Sequence, residues 1–280
     1  MKKISRRSFL AASGLTIAAL ALTACGGSAS TASSAASSVA ASSEAASTSA
    51  AAAELTTVEA GKLTMATNAA FPPYEMTTDA GAFEGIDIDT AQAIADKLGL
   101  ELQIDDMDFD AALLSVQQGK ADIAMAGVTV TDERKNVMDF SDSYATGIQS
   151  IIVPEGSDIA SPDDLAGKMI GTQRGTTGYI YCSDDFGEDA VVAYDNGLTA
   201  VQALNNGQVD AVVIDNEPAK AYVESNPGLK ILDTSYAEED YAIGMAKGNT
   251  ALLEAVNAAL EELKADGTLQ AIVDKYIKAE

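Results

Sequence analysis

The 280-residue chain contains no histidine, no tryptophan and only two cysteines, and these shortages limit the chemistry it can perform. Without histidine or a cysteine pair, it lacks the usual zinc ligands and the histidine base of a nucleophilic triad. Basic residues are also scarce, 17 against 42 acidic ones, which gives a formal net charge of −25. A chain this acidic is repelled by nucleic acid and by anionic lipid head groups. We therefore expect no nucleic-acid partner, no metal and no cofactor.

An acidic run at residues 105–110 is the segment that most invites a metal interpretation, because its carboxylates alternate as they do in a calcium loop. Counted from Asp106, however, Ala111 stands where such a loop has its turn glycine. Gln117 likewise stands where the loop has its bidentate glutamate. The sequence therefore predicts no calcium site.

The first 25 residues have the pattern of an export signal. Four basic residues precede the apolar stretch 9–24, which is too short and too rich in Ala and Thr for a secure membrane span. Residues 22–25 resemble the bacterial lipobox, which implies that Cys25 is acylated and becomes the mature N-terminus. An ordinary signal peptide with a coincidental cysteine is the alternative. Residues 5–10 also resemble a twin-arginine signal, so two export routes stay open.

Residues 26–57 are almost entirely Ser, Ala and Thr, a composition that cannot bury enough apolar surface to fold. We predict a disordered tether that holds the following domain at the outer face of the cell membrane. With Cys25 acylated, Cys182 has no cysteine left to pair with, so an internal disulfide is not expected. We interpret Cys182 as a half-buried small residue rather than a nucleophile.

From residue 58 onward, short apolar runs alternate with helical segments of about ten residues, which predicts an α/β fold with mostly parallel sheets. This alternation of strands and helices occurs twice along the chain. We expect lobe 1 at 58–148 and 246–280 and lobe 2 at 149–245, joined by extended hinge strands at 149–153 and 241–245. Predicted strands are 62–67, 100–104, 168–172, 191–194 and 231–232. Predicted helices are 87–97, 110–118, 198–206, 250–264 and 269–278, with others beginning near residues 131, 161, 176 and 218.

One sequence pattern is repeated, first at residues 119–126 and again at residues 207–214. Each copy passes from a helix end through a glycine into a short buried strand. Ligands of open α/β sheets lie beyond the carboxyl ends of the strands. The first copy leads to Arg134 and the second to Asp215. A guanidinium and a carboxylate offered by two facing lobes would suit a small zwitterion.

Arg134 lies in the first turn of a helix that Thr131 would cap, where the helix dipole opposes a cation. A ligand clamp explains this placement, because the guanidinium and the exposed N–H groups would converge on one anion. An intramolecular ion pair with Asp132 or Glu133 explains it equally well. Both interpretations stay open at this point.

Five further residues lie at predicted strand or helix ends, and each has a purely structural alternative. Thr176 and Thr177 would offer helix N–H groups to a carboxylate, or would act as an ordinary cap. Asp215 ends an apolar strand and would face a cleft, or would cap the next helix. Phe71 and Phe109 follow first-lobe strands and would form walls for a side chain, or would simply pack in the core.

Four stretches, residues 66–75, 85–89, 126–134 and 139–141, closely resemble the family-3 solute-binding proteins of bacterial ABC importers, which bind polar amino acids. The resemblance runs from about residue 62 to residue 276. It implies a type II periplasmic-binding-protein fold, in which two Rossmann-like lobes are joined by a double-stranded hinge. It also implies an extracytoplasmic monomer that passes its ligand to the transmembrane subunits of an ABC permease.

The resemblance also implies roles for site residues. Arg134 would bind the ligand α-carboxylate, helped by N–H groups at Thr129 and at Thr176 or Thr177. The groups that would meet the α-amino group are Asp215, the Gly127 carbonyl and the Thr129 hydroxyl.

The ligand side chain would lie between Phe71 and Phe109, with Asn68 and Gln173 at its far end. Several relatives that prefer cationic amino acids or glutamine have Asp where this chain has Asn68. An amide carries no charge, so this departure weakens the expectation of a Lys or Arg ligand.

Two rivals belong to other functional classes. Cyclohexadienyl dehydratases resemble these binders, and an enzyme of that kind would use Glu217 or Glu75 as its acid or base. The sensory domain of a signalling receptor would need a transmembrane helix and a cytoplasmic module, and we expect neither after Glu280. The sequence favours a binding protein without enzymatic activity.

Overall fold

The structure is a computed structural model that describes residues 55–278. The predicted export signal, the acylated Cys25 and nearly all of the predicted tether lie outside the described residues. Within the described range, no helix is both long and apolar enough to cross a membrane.

The described residues form short strands alternating with helices. The strands are β1 (Lys62–Thr67), β2 (Ala70–Phe71), β3 (Glu75–Thr77), β4 (Phe83–Glu84), β5 (Glu101–Asp106), β6 (Ile123–Ala124), β7 (Met138–Phe140), β8 (Ala145–Pro154), β9 (Ile170–Gln173), β10 (Val191–Tyr194), β11 (Ala211–Asp215), β12 (Leu229–Ile231), β13 (Ala237–Tyr241) and β14 (Gly244–Ala246). The helices are α1 (Ile86–Leu98), α2 (Phe109–Gln117), α3 (Asp132–Val137), α4 (Thr177–Phe186), α5 (Gly197–Asn205), α6 (Asn216–Glu224), α7 (Thr250–Ala265) and α8 (Thr268–Tyr276).

Two sheets organise these elements. The first has the order β5-β1-β6-β14-β7, and the second has the order β10-β9-β11-β8-β12 with β13 also paired to β8. We call the elements packed on the first sheet the first lobe, and those on the second sheet the second lobe. The repeated strands β6 and β11 take equivalent central places. In each copy an aspartate accepts a backbone N–H from a neighbouring segment, Asp122 from Thr64 and Asp210 from Met169, both at 2.8 Å.

The chain passes between the two sheets twice. Strands β8 and β13 run antiparallel to each other, with Ala145 opposite Tyr241. The single extended run predicted at 241–245 is wrong, because Tyr241 ends β13 in the second sheet whereas Gly244 begins β14 in the first. Between them, the N–H of Ile243 is donated to the Ser141 hydroxyl at 2.9 Å, so the chain changes partners there.

Helix α1 follows Gly85, and no side-chain hydrogen bond caps its start. Gly85 has φ +137°, and a Cβ there would lie 2.1 Å from the Tyr74 carbonyl oxygen, so only glycine fits. Asp87 is fully buried and accepts hydrogen bonds from the Gly127 N–H at 2.9 Å and the Tyr144 hydroxyl at 2.8 Å. The carboxylate therefore ties the start of α1 to the loop that follows β6.

The remaining predicted elements are found with small shifts at their ends. Strands 62–67 and 191–194 have the predicted bounds, while α6 begins two residues before the predicted Pro218. Residues 71–75 contain a turn between β2 and β3, which with β4 form a small antiparallel sheet. Cys182 has no exposed surface, so the expectation of a half-buried residue is wrong.

Candidate functional site

One cavity between the lobes is lined by all ten residues that the sequence singled out for ligand binding. The space between its lining atoms, together with its open mouth, is about 410 Å³. The ten are Asn68, Phe71, Phe109, Gly127, Thr129, Arg134, Gln173, Thr176, Thr177 and Asp215. The structure therefore brings together residues that lie up to 147 positions apart in the chain. Glu75, Ala126, Gln149 and Ile214 line it as well.

Arg134 reaches the cavity from the first turn of α3. The Thr131 hydroxyl accepts its backbone N–H at 3.1 Å, which is the predicted cap. Its guanidinium donates to the Thr129 carbonyl at 2.7 Å and to the Gly175 carbonyl of the second lobe at 3.0 Å. It also lies 5.3 Å from the centre of the Phe109 ring. These contacts fix the plane of the guanidinium.

No carboxylate among the described residues forms an ion pair with Arg134, although the side chain is only 8% exposed. The alternative ion pair is wrong, since Asp132 is fully exposed and its side chain contacts Lys135 at 3.9 Å. Burial lowers the pKa of Arg134, and the negative charge of Glu239 opposes that shift. A buried cation held only by carbonyl dipoles favours the entry of an anion.

Asp215 supplies the opposite charge from the end of β11. Its side chain is 7% exposed and accepts a hydrogen bond from the Gln149 amide at 2.6 Å. It makes no side-chain hydrogen bond to the helix that follows, so the capping alternative is wrong. Burial raises the pKa of Asp215 to about 7, while the Tyr241 hydroxyl and Gln149 favour its ionised form. The carboxylate is thus poised to accept a cationic donor.

Two amides close another side of the cavity, across the lobes. Gln173 donates to the Asn68 carbonyl oxygen at 3.0 Å, and Asn68 donates to the Met107 carbonyl at 2.9 Å. Each amide nitrogen has a second N–H and each amide oxygen has a further lone pair, so both amides can donate to a ligand or accept from it. Phe71 and Phe109 pack in their hydrophobic cores, which confirms that interpretation; they also line the same cavity, and their role as walls for a ligand side chain stays a prediction.

Thr176 and Thr177 stand at the start of α4. The Thr176 hydroxyl accepts the Tyr179 N–H at 3.3 Å, which confirms the ordinary cap. Thr177 is the first helical residue and lines the cavity. N–H groups at this position have no acceptor within their own helix. An anion in the cavity can therefore receive them.

Glu239 is a site residue that the sequence did not reveal. It is 6% exposed, and its Oε2 atom accepts hydrogen bonds from three side chains. The donors are Thr177 at 2.9 Å, Gln149 at 2.9 Å and Thr129 at 3.2 Å. The Thr129 hydroxyl donates its proton to Glu239, and its lone pairs can still accept an N–H of a ligand amino group, the role that the resemblance implied. The alternation of a strand offered a signal, because Glu239 shares a face with the buried Tyr241.

Glu75 lies at the cavity with no exposed surface, beside the equally buried Asp87. Burial raises the pKa of Glu75 well above its ordinary range, and the charge of Asp87 raises it further. Burial also raises the pKa of Asp87, to about 6. Burial and the neighbouring charge therefore favour the protonated form of Glu75. Glu217, the other carboxylate considered for catalysis, is paired with Lys220 at 2.9 Å and lies outside the residues lining the cavity.

A protein-family model and several known proteins are similar to this chain. The family model described as bacterial extracellular solute-binding proteins, family 3, matches residues 63–279. A probable histidine-binding protein of Neisseria gonorrhoeae is 33% identical over 277 residues, covering 96% of this chain and 95% of that protein. The L-cystine-binding protein TcyJ of Escherichia coli strain K12 is 33% identical, covering 79% of this chain and 85% of that protein.

Solved structures show the same likeness. An ancestral arginine-binding protein bound to arginine superposes with a TM-score of 0.74 at 44% identity, covering 78% of this chain and 98% of that one. The arginine-, lysine-, histidine-binding protein ArtJ from Geobacillus stearothermophilus superposes with a TM-score of 0.75 at 33% identity, covering 78% of this chain and 96% of that one.

Proposed function

We propose that this chain, which belongs to the bacterial extracellular solute-binding proteins of family 3, captures a polar L-amino acid in the cavity between its lobes. Its fold is the type II periplasmic-binding-protein fold, and it acts outside the cytoplasm. It is a binding protein and not an enzyme, as its relatives' names also indicate. Delivery of the captured amino acid to an ABC permease is the remaining step of the proposal.

The observation that carries the proposal is a buried guanidinium and a buried carboxyl group that line one cavity. Arg134 and Asp215 both line the cavity, and neither has an ion-pair partner among the described residues. A ligand with a carboxylate and an ammonium on one carbon would satisfy both. A simple anion would leave Asp215 without a cation, and a simple amine would leave Arg134 without an anion.

Closure of the lobes is the proposed mechanism of capture. The two lobes already touch through side-chain hydrogen bonds, and three of these lie outside the strands that cross between the sheets. Arg134 reaches Gly175, Gln173 reaches Asn68, and the Tyr222 hydroxyl donates to the Ala70 carbonyl at 2.6 Å. A ligand that contacts both lobes binds the closed form more tightly, so it shifts the population toward closure.

The far end of the cavity favours a ligand side chain that donates hydrogen bonds. The amide oxygens of Asn68 and Gln173 can accept hydrogen bonds, and the residues lining the cavity include no lysine or arginine besides Arg134. A second carboxylate would be repelled, so glutamine should bind more tightly than glutamate. Relatives are named for histidine, cystine, glutamine and arginine, ligands that all offer donors.

Membrane attachment through Cys25 completes the proposal. The lipobox resemblance of residues 22–25 and the Ser/Ala/Thr-rich stretch after it support a lipid anchor followed by a tether. Replacing Cys25 with Ala should move the protein out of the membrane fraction, whereas Cys182→Ala should leave it there. Equal membrane retention of both variants would contradict the anchor.

A thermal-shift screen of the purified protein against the common L-amino acids tests the ligand class. A ligand that binds only the folded state raises the melting temperature. At a free concentration about 100 times its dissociation constant, the ligand stabilises the folded protein by about 2.7 kcal/mol. The decarboxylated amine and the deaminated acid of the best ligand should give no shift. A full shift with either would show that only one of the two charges is used, which contradicts the zwitterion site.

A matched pair of arginine variants tests the site itself. Arg134→Ala should weaken binding by about 2–5 kcal/mol, because the ligand carboxylate would then be buried without its cation. Arg174→Ala should leave the dissociation constant unchanged, since that side chain is 53% exposed and pairs with Asp195 on the surface. Calorimetry gives both values. An unaltered dissociation constant for Arg134→Ala would contradict the proposed contact between Arg134 and the ligand carboxylate.

A further inference from the structure

The Gln149 side chain lies between two buried carboxyl groups of the second sheet. Gln149 stands in β8 directly opposite Asp215 of β11, and on its other side β8 pairs with β13, the strand of Glu239. The Gln149 amide nitrogen donates to Asp215 Oδ2 at 2.6 Å and to Glu239 Oε2 at 2.9 Å. Gln149 is 2% exposed and lines the cavity. One amide therefore serves both carboxyl groups, each through its own N–H.

The surroundings of Gln149 favour this orientation of its amide over the flipped one. A flipped amide would place its carbonyl oxygen against two carboxylate oxygens, which accept hydrogen bonds and donate none. The carbonyl oxygen instead lies beside Gly178 in the first turn of α4, where a Cβ would be 2.8 Å away. The absence of a side chain at Gly178 therefore leaves room for the amide oxygen.

The second oxygen of Asp215 is held in a similar way. Gly147 precedes Gln149 by two residues and so shares its face of β8. A Cβ at Gly147 would lie 2.6 Å from Asp215 Oδ1 and 2.5 Å from the Tyr241 hydroxyl oxygen, so only glycine leaves space for both groups. Both oxygens of the Asp215 carboxyl group are thus fixed in place, one by Gln149 and one in the space at Gly147.

The Gln149 amide orients Asp215 without cancelling its charge. Burial raises the pKa of Asp215 to about 7, and the charge of Glu239 raises it further, whereas the hydrogen bond from Gln149 lowers it. A lysine or arginine at position 149 would also favour the ionised carboxylate, but it would take the place of the ligand ammonium. A neutral donor leaves the charge of Asp215 available to a ligand.

We propose that Gln149 is a positioning residue whose amide keeps Asp215 ionised and aimed at the ligand ammonium, while it shares its nitrogen with Glu239. The proposal rests on the amino-acid-binding function proposed above. Gln149 acts on the ligand through Asp215, so its removal should change how binding depends on pH.

Other titratable groups also act on the carboxyl pair or respond to it. They are Tyr74, Glu75, Arg134, Tyr181 and Tyr241. A substitution at Gln149 leaves all of these side chains in the sequence. A changed pH profile is then assigned to the loss of the amide.

Gln149→Met keeps the length of the side chain but donates no hydrogen bond. Loss of a donor to the ionised form should raise the pKa of Asp215 by about one unit. The affinity for L-glutamine should then fall about ninefold at pH 6 but less than about twofold at pH 8.5, where Asp215 is largely ionised in both proteins. Calorimetric titration measures both losses. An equal loss of affinity at the two pH values would indicate a merely structural role and overturn the proposal.

Gln202→Met is the matched control for this substitution. Gln202 is an exposed residue of α5 in the same lobe, so the variant should keep the wild-type affinity at both pH values. Glu239→Gln tests the same arrangement with the opposite sign, because it removes the charge that opposes ionisation of Asp215. The midpoint of its pH profile should move to lower pH. An unchanged midpoint would overturn the proposal even if Gln149→Met proved too unstable to study.

A titration without ligand separates this proposal from the proposed function. Carbon-13 NMR of the aspartate carboxyl groups follows Asp215 directly, and Asp215→Asn identifies its signal. The midpoint should lie near pH 7 in the wild type and about one unit higher in Gln149→Met. If L-glutamine does not bind, the ligand assignment fails and this titration still tests Gln149. If L-glutamine binds but the two midpoints coincide, the role of Gln149 fails alone.

Discussion

Asp215 should make ligand affinity depend on pH in a way that can be worked out from its surroundings. Its carboxyl is 7% exposed, and burial raises its pKa from an ordinary 3.8 to about 7. The charge of Glu239 acts in the same direction, while Tyr241 and Gln149 act against it. A ligand ammonium placed against this carboxylate would favour its ionised form. Binding should therefore expel a proton wherever Asp215 is protonated in the free protein.

The size of the effect follows from the ionised fraction of the free protein. With a pKa of about 7, Asp215 is about half ionised at pH 7 and about one hundredth ionised at pH 5. The α-carboxylate and α-ammonium of the ligand both stay charged across that range. Affinity should then rise about fiftyfold from pH 5 to pH 7, or about 2.3 kcal/mol.

Calorimetric titration at pH 5, 6 and 7, in two buffers with different ionisation enthalpies, measures both the affinity and the released protons. Asp215→Asn should bind weakly and with little pH dependence, because it has no proton to release. Asp195→Asn, at an exposed surface carboxylate, should keep the wild-type profile. A wild-type affinity that is flat between pH 5 and pH 7 would refute the placement of the ammonium against Asp215.

Four further predictions concern stability, closure and reactivity. The folded state disfavours the ionised form of Glu75. The stability that the protonated side chain contributes is therefore lost as pH rises above the ordinary pKa of a glutamate. The melting temperature of Glu75→Gln should thus fall less than that of the wild type between pH 5 and pH 8, and equal declines would contradict this. Gly85→Ala should lower the free energy of unfolding in urea by about 2–4 kcal/mol, because the new methyl group clashes with Tyr74. The same change at Gly61, where space is open, should cost much less, and equal losses would count against the steric argument. Tyr222→Phe removes the contact to the Ala70 carbonyl and should raise the ligand dissociation constant about three- to tenfold, so an unaltered constant would exclude a closing role for this hydroxyl. Cys182 should resist thiol reagents until the protein unfolds, because burial raises its pKa to about 12, and rapid labelling of the native protein would refute this.

Local patterns were sufficient for much of the fold. The strands at 62–67 and 191–194 and the last two helices were predicted closely, because apolar periodicity and glycine stops act within a few residues. The strand boundary near residue 241 was not predicted, because β13 and β14 pair with strands of two different sheets. The structural role of Asp87 was not predicted for a related reason, since its hydrogen-bond donors Gly127 and Tyr144 lie far away in the chain.

By itself, the sequence determined that this protein has two repeated α/β units and a guanidinium and a carboxylate beside their strand ends. It did so because repetition, periodicity and helix-start chemistry are local properties of a chain. Only the tertiary structure decided that Arg134 lacks a carboxylate partner, that Asp215 faces the same cavity, and that Glu239 collects donors from both lobes. Burial and the pairing of charges depend on segments about a hundred residues apart, and packing alone brings those segments together.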